Sequence, residues 1–214
     1  VQNIGAYGVE AKDLIVKVQT IEVATGQECV FLQEACGYAY RESVFKFSLK
    51  RQHVLTQVSF RLKKTPCYHL DYGNVRAELE KRGCALTLEN VRETIIGIRR
   101  VKLPDPKVQG NGGSFFMNPI IPRKQYEDLL AFYPDLPHYD VDEAHVKVPA
   151  AWMIDRCGWK GKQMGRAGVH DKQALVLVNC GGATGQEVIA LSKAIQGSVK
   201  EKFGIEIFPE VNFI

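Results

Sequence analysis

The stretch that decides the fold is Ala174–Glu187, which reads ALVLVNCGGATGQE. Its first five residues form a continuous apolar run, which predicts a buried β-strand. Thr184 and Glu187 then form a capping box, in which the two side chains satisfy N–H groups at the start of a helix and contribute ~1 kcal/mol. The predicted helix has its apolar residues on one face: Val188, Leu191, Ile195 and Val199. The sequence therefore predicts a mixed α/β arrangement around this stretch.

The flanking sequence extends this pattern in both directions. Gly204 is placed to end the long helix, and Ile205–Phe208 predicts a last strand. Upstream, Pro149–Cys157 predicts a short helix, and Pro122 suits the first position of another. The stretch Leu103–Pro119 is rich in glycine and proline, so we place the boundary between two domains there.

The first hundred residues have a different order of elements, with strands before helices. Apolar residues alternate with polar ones in two stretches: Leu14, Val16 and Val18, then Val54, Val58, Phe60 and Leu62. A turn at Ala24–Gln27 separates the first strand from another that begins near Val30. Two helices are predicted next, one between Asn74 and Gly83 and one that begins near Thr87 and stops before Pro104. The apolar face of the second comprises Leu88, Val91, Ile95 and Ile98. The fold class predicted for the whole chain is α+β.

Composition excludes several classes of function. Apolar residues are 45% and charged residues 24% of the chain, which is typical of an ordinary globular protein. The net charge of +4 is dispersed, so it does not predict nucleic-acid binding. No apolar run approaches the roughly 20 residues of a membrane helix. The six cysteines lack a C-x-x-C pair and predict reduced, mostly buried thiols, and the scattered histidines predict no metal site.

Two stretches attract a functional interpretation on their own residues. In Gly110–Pro119, three glycines let the backbone approach a ligand and Ser114 follows them directly. The alternative is a flexible surface loop, but Phe115 and Phe116 favour a loop that is anchored in a core. In Tyr40–Ser43, Arg41 could bind a carboxylate with its planar guanidinium, although an ordinary surface arginine is the simpler explanation.

Two further stretches give weaker signals. Glu210 lies between apolar neighbours in Pro209–Val211, where it is either partly buried or an exposed strand end. The basic stretch Arg99–Lys107 either binds an anion or is a solvated helix end, where positive charge is favoured by the helix dipole. Residue types and spacing alone predict only an α/β protein with a glycine-loop site.

Taken together, these stretches resemble the UDP-N-acetylenolpyruvoylglucosamine reductase (MurB) family. Five motifs occur in the order and rough spacing of that family: QNIGAYG at residues 2–8, YRESVFK at 40–46, KLPDPK at 102–107, GSFFMNP at 113–119 and PEV at 209–211. Tyr72 in Asp71-Tyr72-Gly73 points to the subtype with a substrate-covering tyrosine loop.

The resemblance implies an enzyme of peptidoglycan precursor synthesis. It would bind FAD, take a hydride from NADPH and reduce UDP-N-acetylglucosamine enolpyruvate to UDP-N-acetylmuramate. By the same resemblance it would be cytoplasmic and, when complete, monomeric, without nucleic-acid or membrane partners.

The resemblance also assigns residues. Ser114 resembles the general acid, and Arg41 and Glu210 resemble the pair that stabilises the enolate. The substrate contacts implied are Tyr72, Lys102, Asn118, Tyr139, Lys147 and Gln173. The flavin contacts implied are Ile4, Gly5, Tyr7, Arg41 and Arg99.

The domain organisation implied is the C-terminal part of an FAD-binding α+β domain, followed by a mixed α/β substrate-binding domain. The first comprises residues 1–103, with a strand at 205–214 returning to it, and the second comprises residues 104–204. Family members begin with a further segment that holds the FAD diphosphate. We therefore expect this chain alone to retain FAD weakly or not at all and to have little activity.

Two other functions stay open at this point. One is a flavoenzyme of the same broad fold, such as an oxidase of small alcohols, although GSFFMNP beside KLPDP argues against it. The other is a UDP-sugar-binding protein without catalytic activity, which nucleotide binding in the absence of flavin would favour. A purely structural protein would leave Ser114, Arg41 and Glu210 unexplained.

Overall fold

In the computed structural model, which describes residues 1–213, the chain begins with two antiparallel sheets of different size. The smaller pairs β1 (Gly5–Ala6) with β2 (Val9–Glu10). The larger has β3 (Ile15–Glu22) between β4 (Glu28–Leu32) and β5 (His53–Phe60). The three predicted strands are therefore confirmed, although Leu14 and Leu62 lie just outside the strands to which they were assigned.

The two connections of this sheet differ in length, since five residues join β3 to β4 and twenty join β4 to β5. Gly26 has a φ of +72° and donates its N–H to the Glu22 carbonyl, which confirms the predicted turn between β3 and β4. Short 3-10 helices at Ala11–Asp13, Gln33–Cys36 and Val44–Lys46 complete the connections. One face of β3 packs its buried Val18 against the partly buried Phe31 and Val58.

Helices α1 (Val75–Arg82) and α2 (Leu88–Lys102) begin and end where the capping residues predict, but the Asn74 side chain forms no capping hydrogen bond. Gly83 follows α1 with a φ of +60°, and the Thr87 hydroxyl accepts the Asn90 N–H at 3.2 Å. Val91, Ile95 and Ile98 of α2 pack against a cluster formed by Leu70, Val75 and Leu79. Leu88 is exposed, so the predicted apolar face is wrong at its first residue.

The second half of the chain alternates strands and helices. Its elements are β6 (Asn111–Ser114), β7 (Ile120–Pro122), α3 (Arg123–Leu130), β8 (Tyr139–Asp140), β9 (His145–Lys147), α4 (Ala150–Arg156), β10 (Gln163–Met164), β11 (Ala167–Val169), β12 (Val176–Asn179) and α5 (Gly185–Phe203). They form two antiparallel sheets with strand orders β10-β11-β12-β6 and β7-β9-β8.

A single large hydrophobic core lies in this half. Leu191, Ile195 and Val199 of α5 are completely buried in it, as the period of the helix predicts. The capping box of Thr184 and Glu187 forms in both directions, and Gly204 ends α5 with a φ of +65°. The predicted apolar strand is confirmed as β12, which begins two residues later than the apolar run because Val176 closes a turn on the Gln173 carbonyl.

The predicted last strand at Ile205–Phe208 is wrong. Ile205 and Ile207 are buried and alternate with exposed neighbours, but the segment has only an isolated bridge, between Phe116 and Pro209. The Ile207 carbonyl is bonded instead by the side chain of Gln196. Any extended segment alternates its side chains, so the sequence period does not reveal whether a partner strand is present.

The chain has two compact units, a first one of Val1–Ile98 and a second one that starts at Arg99. The division falls inside α2. The domain boundary predicted between residues 103 and 104 stays a prediction. The same holds for the predicted return of residues 205–214 to the first domain.

The cysteines differ widely in exposure. All six are free thiols, of which Cys36 is buried and Cys67 and Cys180 are exposed. Since Cys29, Cys84 and Cys157 are only partly buried, the prediction of mostly buried thiols is wrong. Burial raises the pKa of the Cys36 thiol and of the partly buried Cys157 thiol. Within residues 1–213, no helix has the length and apolar character to span a membrane.

Candidate active site

Ser114 is the last residue of β6 and is held by the backbone on both sides. It lies opposite Val176 of β12, and the next N–H, that of Phe115, donates to the Leu175 carbonyl at 2.7 Å. The rings of Phe115 and Phe116 are buried, the latter only 1% exposed, whereas the Ser114 side chain is exposed. The predicted anchoring of this loop is confirmed, and it presents the serine hydroxyl at a fixed point of the surface.

Glu210 is brought to the same place by the main chain. Its N–H donates to the Phe115 carbonyl at 2.8 Å, and the Met117 N–H donates to the Phe208 carbonyl at 2.9 Å. The segment that follows α5 thus lies along the residues that follow Ser114. Two of the three predicted catalytic residues therefore lie close together on the second unit.

Arg41 belongs to the first unit and lies in a tight turn. The Ala39 and Glu42 backbones bond to each other, and Arg41 adopts a left-handed φ of +58° between them. Its guanidinium donates to the Gly5 carbonyl at 2.8 Å and to the Asn3 carbonyl at 3.4 Å, and lies 5.7 Å from the centre of the Tyr40 ring. The turn is further tied down by Lys46, whose ammonium donates to the Arg41 carbonyl.

The predicted flavin contacts Ile4, Gly5 and Tyr7 share one strained loop. Among residues 1–213, positive φ outside glycine occurs at Asn3, Tyr7, Arg41 and Arg51, so three of these four positions lie in this loop or in the Arg41 turn that it contacts. Ile4 is 69% exposed despite its apolar side chain. The predicted flavin contacts thus lie on a loop whose backbone is strained at Asn3 and Tyr7, and their role in binding stays a prediction.

Tyr72 stands beside this loop. Tyr72 is 52% exposed. Its ring lies edge-on to the Tyr7 ring, with 6.2 Å between the two ring centres. A Cβ atom placed on Gly8 would lie 3.5 Å from the Tyr72 Cβ, and Gly8 has a φ of +79°. The distance is an ordinary van der Waals contact, so it is the left-handed backbone that favours glycine at this position.

The second unit collects three predicted substrate residues at the β7-β9-β8 sheet. Tyr139 of β8 lies opposite Lys147 of β9, and the Lys147 ammonium is 5.7 Å from the centre of its ring. The Asn118 side-chain carbonyl accepts the Ala150 N–H at 2.9 Å, which caps the start of α4 and fixes the orientation of the amide. Tyr139 is exposed and can cover a flat ligand.

The hairpin that carries Tyr139 and Lys147 is held by charged groups. Arg123 donates to the Asp140 carboxylate at 2.7 Å and thereby lowers the pKa of Asp140. Asp142 accepts from the His145 ring and from the Ala144 and His145 N–H groups, which lowers its pKa as well. Both carboxylates therefore stay ionised at neutral pH and keep their hydrogen bonds in the turn between Tyr139 and Lys147.

The remaining predicted residues have looser surroundings. Gln173 is half-buried in the turn before β12, where its side chain accepts the Leu175 N–H at 3.4 Å, close to the backbone that pairs with Ser114. Arg99 and Lys102 are exposed in the last turn of α2. The structure therefore groups Ser114, Glu210 and Gln173, and separately groups Asn118, Tyr139 and Lys147.

Sequence analysis missed two asparagines that organise these loops. Asn111 bonds Pro104 and Gln109 through its amide nitrogen and Gly113 through its oxygen. Asn3 is fully buried and bonds three other residues. The signal available was asparagine in a glycine-containing loop, because asparagine bonds nearby main chain and, as at Asn3, tolerates the left-handed backbone. No group of three or more His, Cys, Asp or Glu within residues 1–213 could hold a metal ion.

Comparison with known proteins connects this arrangement to one family. Residues 105–214 match the family described as UDP-N-acetylenolpyruvoylglucosamine reductase, C-terminal domain. The chain belongs to this reductase family. The resemblance stated from the sequence motifs is thereby confirmed.

Complete relatives extend the similarity to the whole chain. The UDP-N-acetylenolpyruvoylglucosamine reductase of Bacteroides fragilis is 60% identical over all 214 residues, and that of Porphyromonas gingivalis is 46% identical over the same span. The chain covers 64% and 63% of their lengths, respectively. It is therefore similar to slightly less than two thirds of each relative.

A solved structure supports the fold. The reductase of Thermus caldophilus superposes with a TM-score of 0.61 over 99% of this chain and 57% of that one, at 21% identity. The mixed helix and sheet architecture predicted from the sequence is thus that of a reductase of this family. The FAD-binding character predicted for residues 1–103 stays a prediction.

Proposed function

We propose that the chain carries the proton-donating and substrate-binding part of a reductase that converts UDP-N-acetylglucosamine enolpyruvate to UDP-N-acetylmuramate. The observation that supports this most is the position of Ser114, exposed on a rigid backbone with Glu210 bonded to the adjacent residue, in a chain of this family. This is one step of peptidoglycan precursor synthesis.

The substrate defines what the protein must do. Its enol-ether double bond is conjugated to a carboxylate, so hydride addition at the terminal carbon leaves the electron pair as an enolate on the adjacent carbon and the carboxylate. FAD, reduced by NADPH, would supply the hydride when bound. A proton at the adjacent carbon then completes the reduction, so one hydride and one proton are consumed for each product.

Ser114 is the proposed donor of that proton. A serine hydroxyl is a weak acid in water, so it can act only if it is aligned with the carbon and shielded from solvent by the bound substrate. The neighbouring buried phenylalanines and the pairing with β12 hold the serine backbone in place. Arg41 and Glu210 are proposed to polarise the substrate carboxylate, because fixed charges act most strongly where water is excluded.

Binding of the nucleotide part is assigned to the second unit and to Tyr72. Lys147 and Lys102 offer ammonium groups to the diphosphate, and Tyr139 offers a ring to the uracil or the sugar. The Asn118 amide and Gln173 provide hydrogen bonds whose direction is set by the main chain that they contact.

The residues present fit FAD at the strained loop of the first unit. The exposed Ile4 side chain and the backbone at Gly5 would face a flat apolar ring, while Tyr7 and the cationic Arg41 would bind its polar groups. Arg99, the first residue of the second unit, is proposed as a flavin contact from the family resemblance alone. These residues orient the cofactor and exclude water, whereas the redox chemistry belongs to the flavin itself.

Two half-reactions test this proposal. We would compare the 214-residue chain with the same chain fused behind the amino-terminal segment of the Bacteroides fragilis relative, with FAD added. We expect NADPH to reduce the flavin in the fusion, and the UDP-sugar enolpyruvate to reoxidise it.

In the fusion, Ser114→Ala should leave flavin reduction unchanged and slow reoxidation by about 10²–10⁴-fold, the usual contribution of a general acid. Ser48→Ala, at another exposed serine, is the control and should change neither half-reaction. UDP-sugar binding by a flavin-loaded fusion that never turns over would replace the reductase proposal with a binding function.

A further inference from the structure

Asn3 bonds both the backbone of the turn that contains Arg41 and the Arg41 side chain. The Asn3 side-chain amide donates to the Ala39 carbonyl at 2.8 Å, and that carbonyl is the one that closes the turn by accepting the Glu42 N–H. The Asn3 main-chain carbonyl, in turn, accepts the Arg41 guanidinium at 3.4 Å. One residue therefore bonds both the base of the turn and the tip of the side chain that the turn carries.

The Asn3 side chain is also saturated with partners in a buried position. Its amide donates to a Glu10 carboxylate oxygen at 3.0 Å, and its oxygen accepts the Lys12 N–H at 3.0 Å. Glu10 is paired with the Lys12 ammonium at 2.9 Å. Since removal of one partner from a buried set leaves the others unsatisfied, the network fixes Asn3 in one orientation.

The backbone of Asn3 is strained in this arrangement. Its φ of +55° is left-handed, and the same is true of Arg41. Left-handed residues persist only where the surroundings over-determine them. Here the two strained residues are in contact, because the Arg41 guanidinium bonds the Asn3 carbonyl as well as the Gly5 carbonyl.

We propose that Asn3 is a positioning residue that sets the location of the Arg41 guanidinium. The inference rests on the role proposed above for Arg41 at the substrate carboxylate. Asn3 itself donates nothing to the substrate in this scheme; it fixes the direction of the Arg41 side chain before the substrate binds.

Three substitutions separate the side chain from the backbone. Asn3→Asp keeps the shape and tolerates a left-handed φ, but it replaces the donor with a carboxylate that faces the Glu10 carboxylate and the Ala39 carbonyl. Asn3→Gly also tolerates this φ and removes the side chain altogether. Arg51→Gly, at the other non-glycine residue with positive φ, is the control for relief of backbone strain.

The first measurement needs no activity. In the 214-residue chain, ¹⁵N NMR can measure how fast the N–H protons of the Arg41 guanidinium exchange with water. We expect this exchange to be faster in Asn3→Asp and Asn3→Gly than in the parent chain and in Arg51→Gly. An exchange rate that stays the same in both folded Asn3 variants would overturn the proposal, whether or not the reductase function is correct.

The second measurement uses the fusion with the Bacteroides fragilis segment. Displacement of a group by about 1 Å can cost 10²-fold in rate, so Asn3→Asp should lower kcat by about that factor, with little change in KM for the UDP-sugar. In an Arg41→Lys background the same substitution should have no further effect on kcat. Equal losses in both backgrounds would mean that Asn3 serves stability alone, whereas absence of turnover in the parent would refute the reductase function and leave the NMR result standing.

Discussion

Gly113 has a backbone that other residues adopt only under strain, directly before the proposed proton donor. Its φ is +72°, and its N–H donates to the Asn111 side chain at 3.0 Å. Nothing lies within 4 Å of a Cβ placed there, so space is not the constraint. The requirement for glycine is therefore conformational, and it fixes the direction in which the chain enters Ser114.

This gives a matched pair of alanine substitutions. Gly113→Ala should lower the free energy of unfolding by about 1–2 kcal/mol, the cost of a left-handed backbone for a residue with a Cβ. Gly112→Ala should cost less, because its Cβ would make an ordinary 3.6 Å contact with Val211. Urea unfolding of the chain measures both, and a loss for Gly112→Ala as large as that for Gly113→Ala would contradict the argument.

Asn118 caps the start of α4 and is also a proposed substrate contact, and substitutions can separate these two roles. Asn118→Asp keeps an oxygen that accepts the Ala150 N–H, so we expect its stability to be retained. Asn118→Leu removes the acceptor and should cost about 1 kcal/mol, as the loss of a helix cap does. Both variants should bind UDP more weakly by calorimetry, and unchanged UDP binding in Asn118→Asp would remove this residue from the proposed site.

At the scale of elements, the start of α5 depends on its capping box. Thr184→Ala removes the hydroxyl that accepts the Glu187 N–H, and should lower the free energy of unfolding by about 1 kcal/mol. Ser48→Ala, which removes an exposed hydroxyl far along the sequence, should have no effect in the same chemical denaturation experiment.

The same box has a pH dependence of known sign. The Thr184 N–H, the Arg166 guanidinium and the Thr184 hydroxyl bind the Glu187 carboxylate and lower its pKa from 4.5 to about 2. A lowered pKa contributes stability that is fully present above pH 4.5 and is lost as the pH falls towards 2. Glu187→Gln should therefore reduce the acid dependence of the unfolding free energy in this window, and Glu201→Gln, at the other end of α5, should leave it unchanged.

Elements that depend on local sequence could be predicted, and those that depend on distant pairing could not. Helix caps depend on residues next to the helix. Gly83 was therefore sufficient to place the end of α1, and Thr184 and Gly204 were sufficient to place the two ends of α5. Strand β6 contains two glycines and forms only because β12, more than sixty residues later, pairs with it. The segment Ile205–Phe208 shows the reverse case. Its residues alternate as in a strand, but it pairs with no neighbouring strand in a ladder.

The candidate site divides in the same way. The motifs identified Ser114, Arg41 and Glu210, but the bonds from Glu210 to Phe115 and from Arg41 to Asn3 connect residues far apart in sequence. Sequence periodicity contains no information about such contacts. Asn3 is therefore visible in the sequence only as part of the QNIGAYG motif, and its bonds to Glu10, Lys12 and Ala39 depend on the fold.

At the scale of the molecule, the two units differ in the size of their cores. The second unit has one large cluster, whereas the first has two small ones built around Ile15, Val18 and Cys36 and around Leu70, Val75 and Leu79. Regions with few buried apolar contacts open at lower free energy. The first unit is thus the less stable part of the chain.

Native-state hydrogen exchange measures this difference directly. We expect amides of β3 and α1 to exchange faster than those of β12 and α5, by opening reactions that leave the second unit folded. Identical protection in the two units, with one common dependence on denaturant, would show that the chain unfolds only as a whole.

The uneven exposure of the cysteines makes the chain easy to observe by fluorescence. Cys67 and Cys180 are the exposed thiols, and one belongs to each unit, whereas burial raises the pKa of Cys36 and Cys157 and slows their modification. A maleimide dye pair should therefore label the two exposed positions first, without engineered sites. Single-molecule energy transfer between them would then report whether the separation of the units changes when FAD or a UDP-sugar is added.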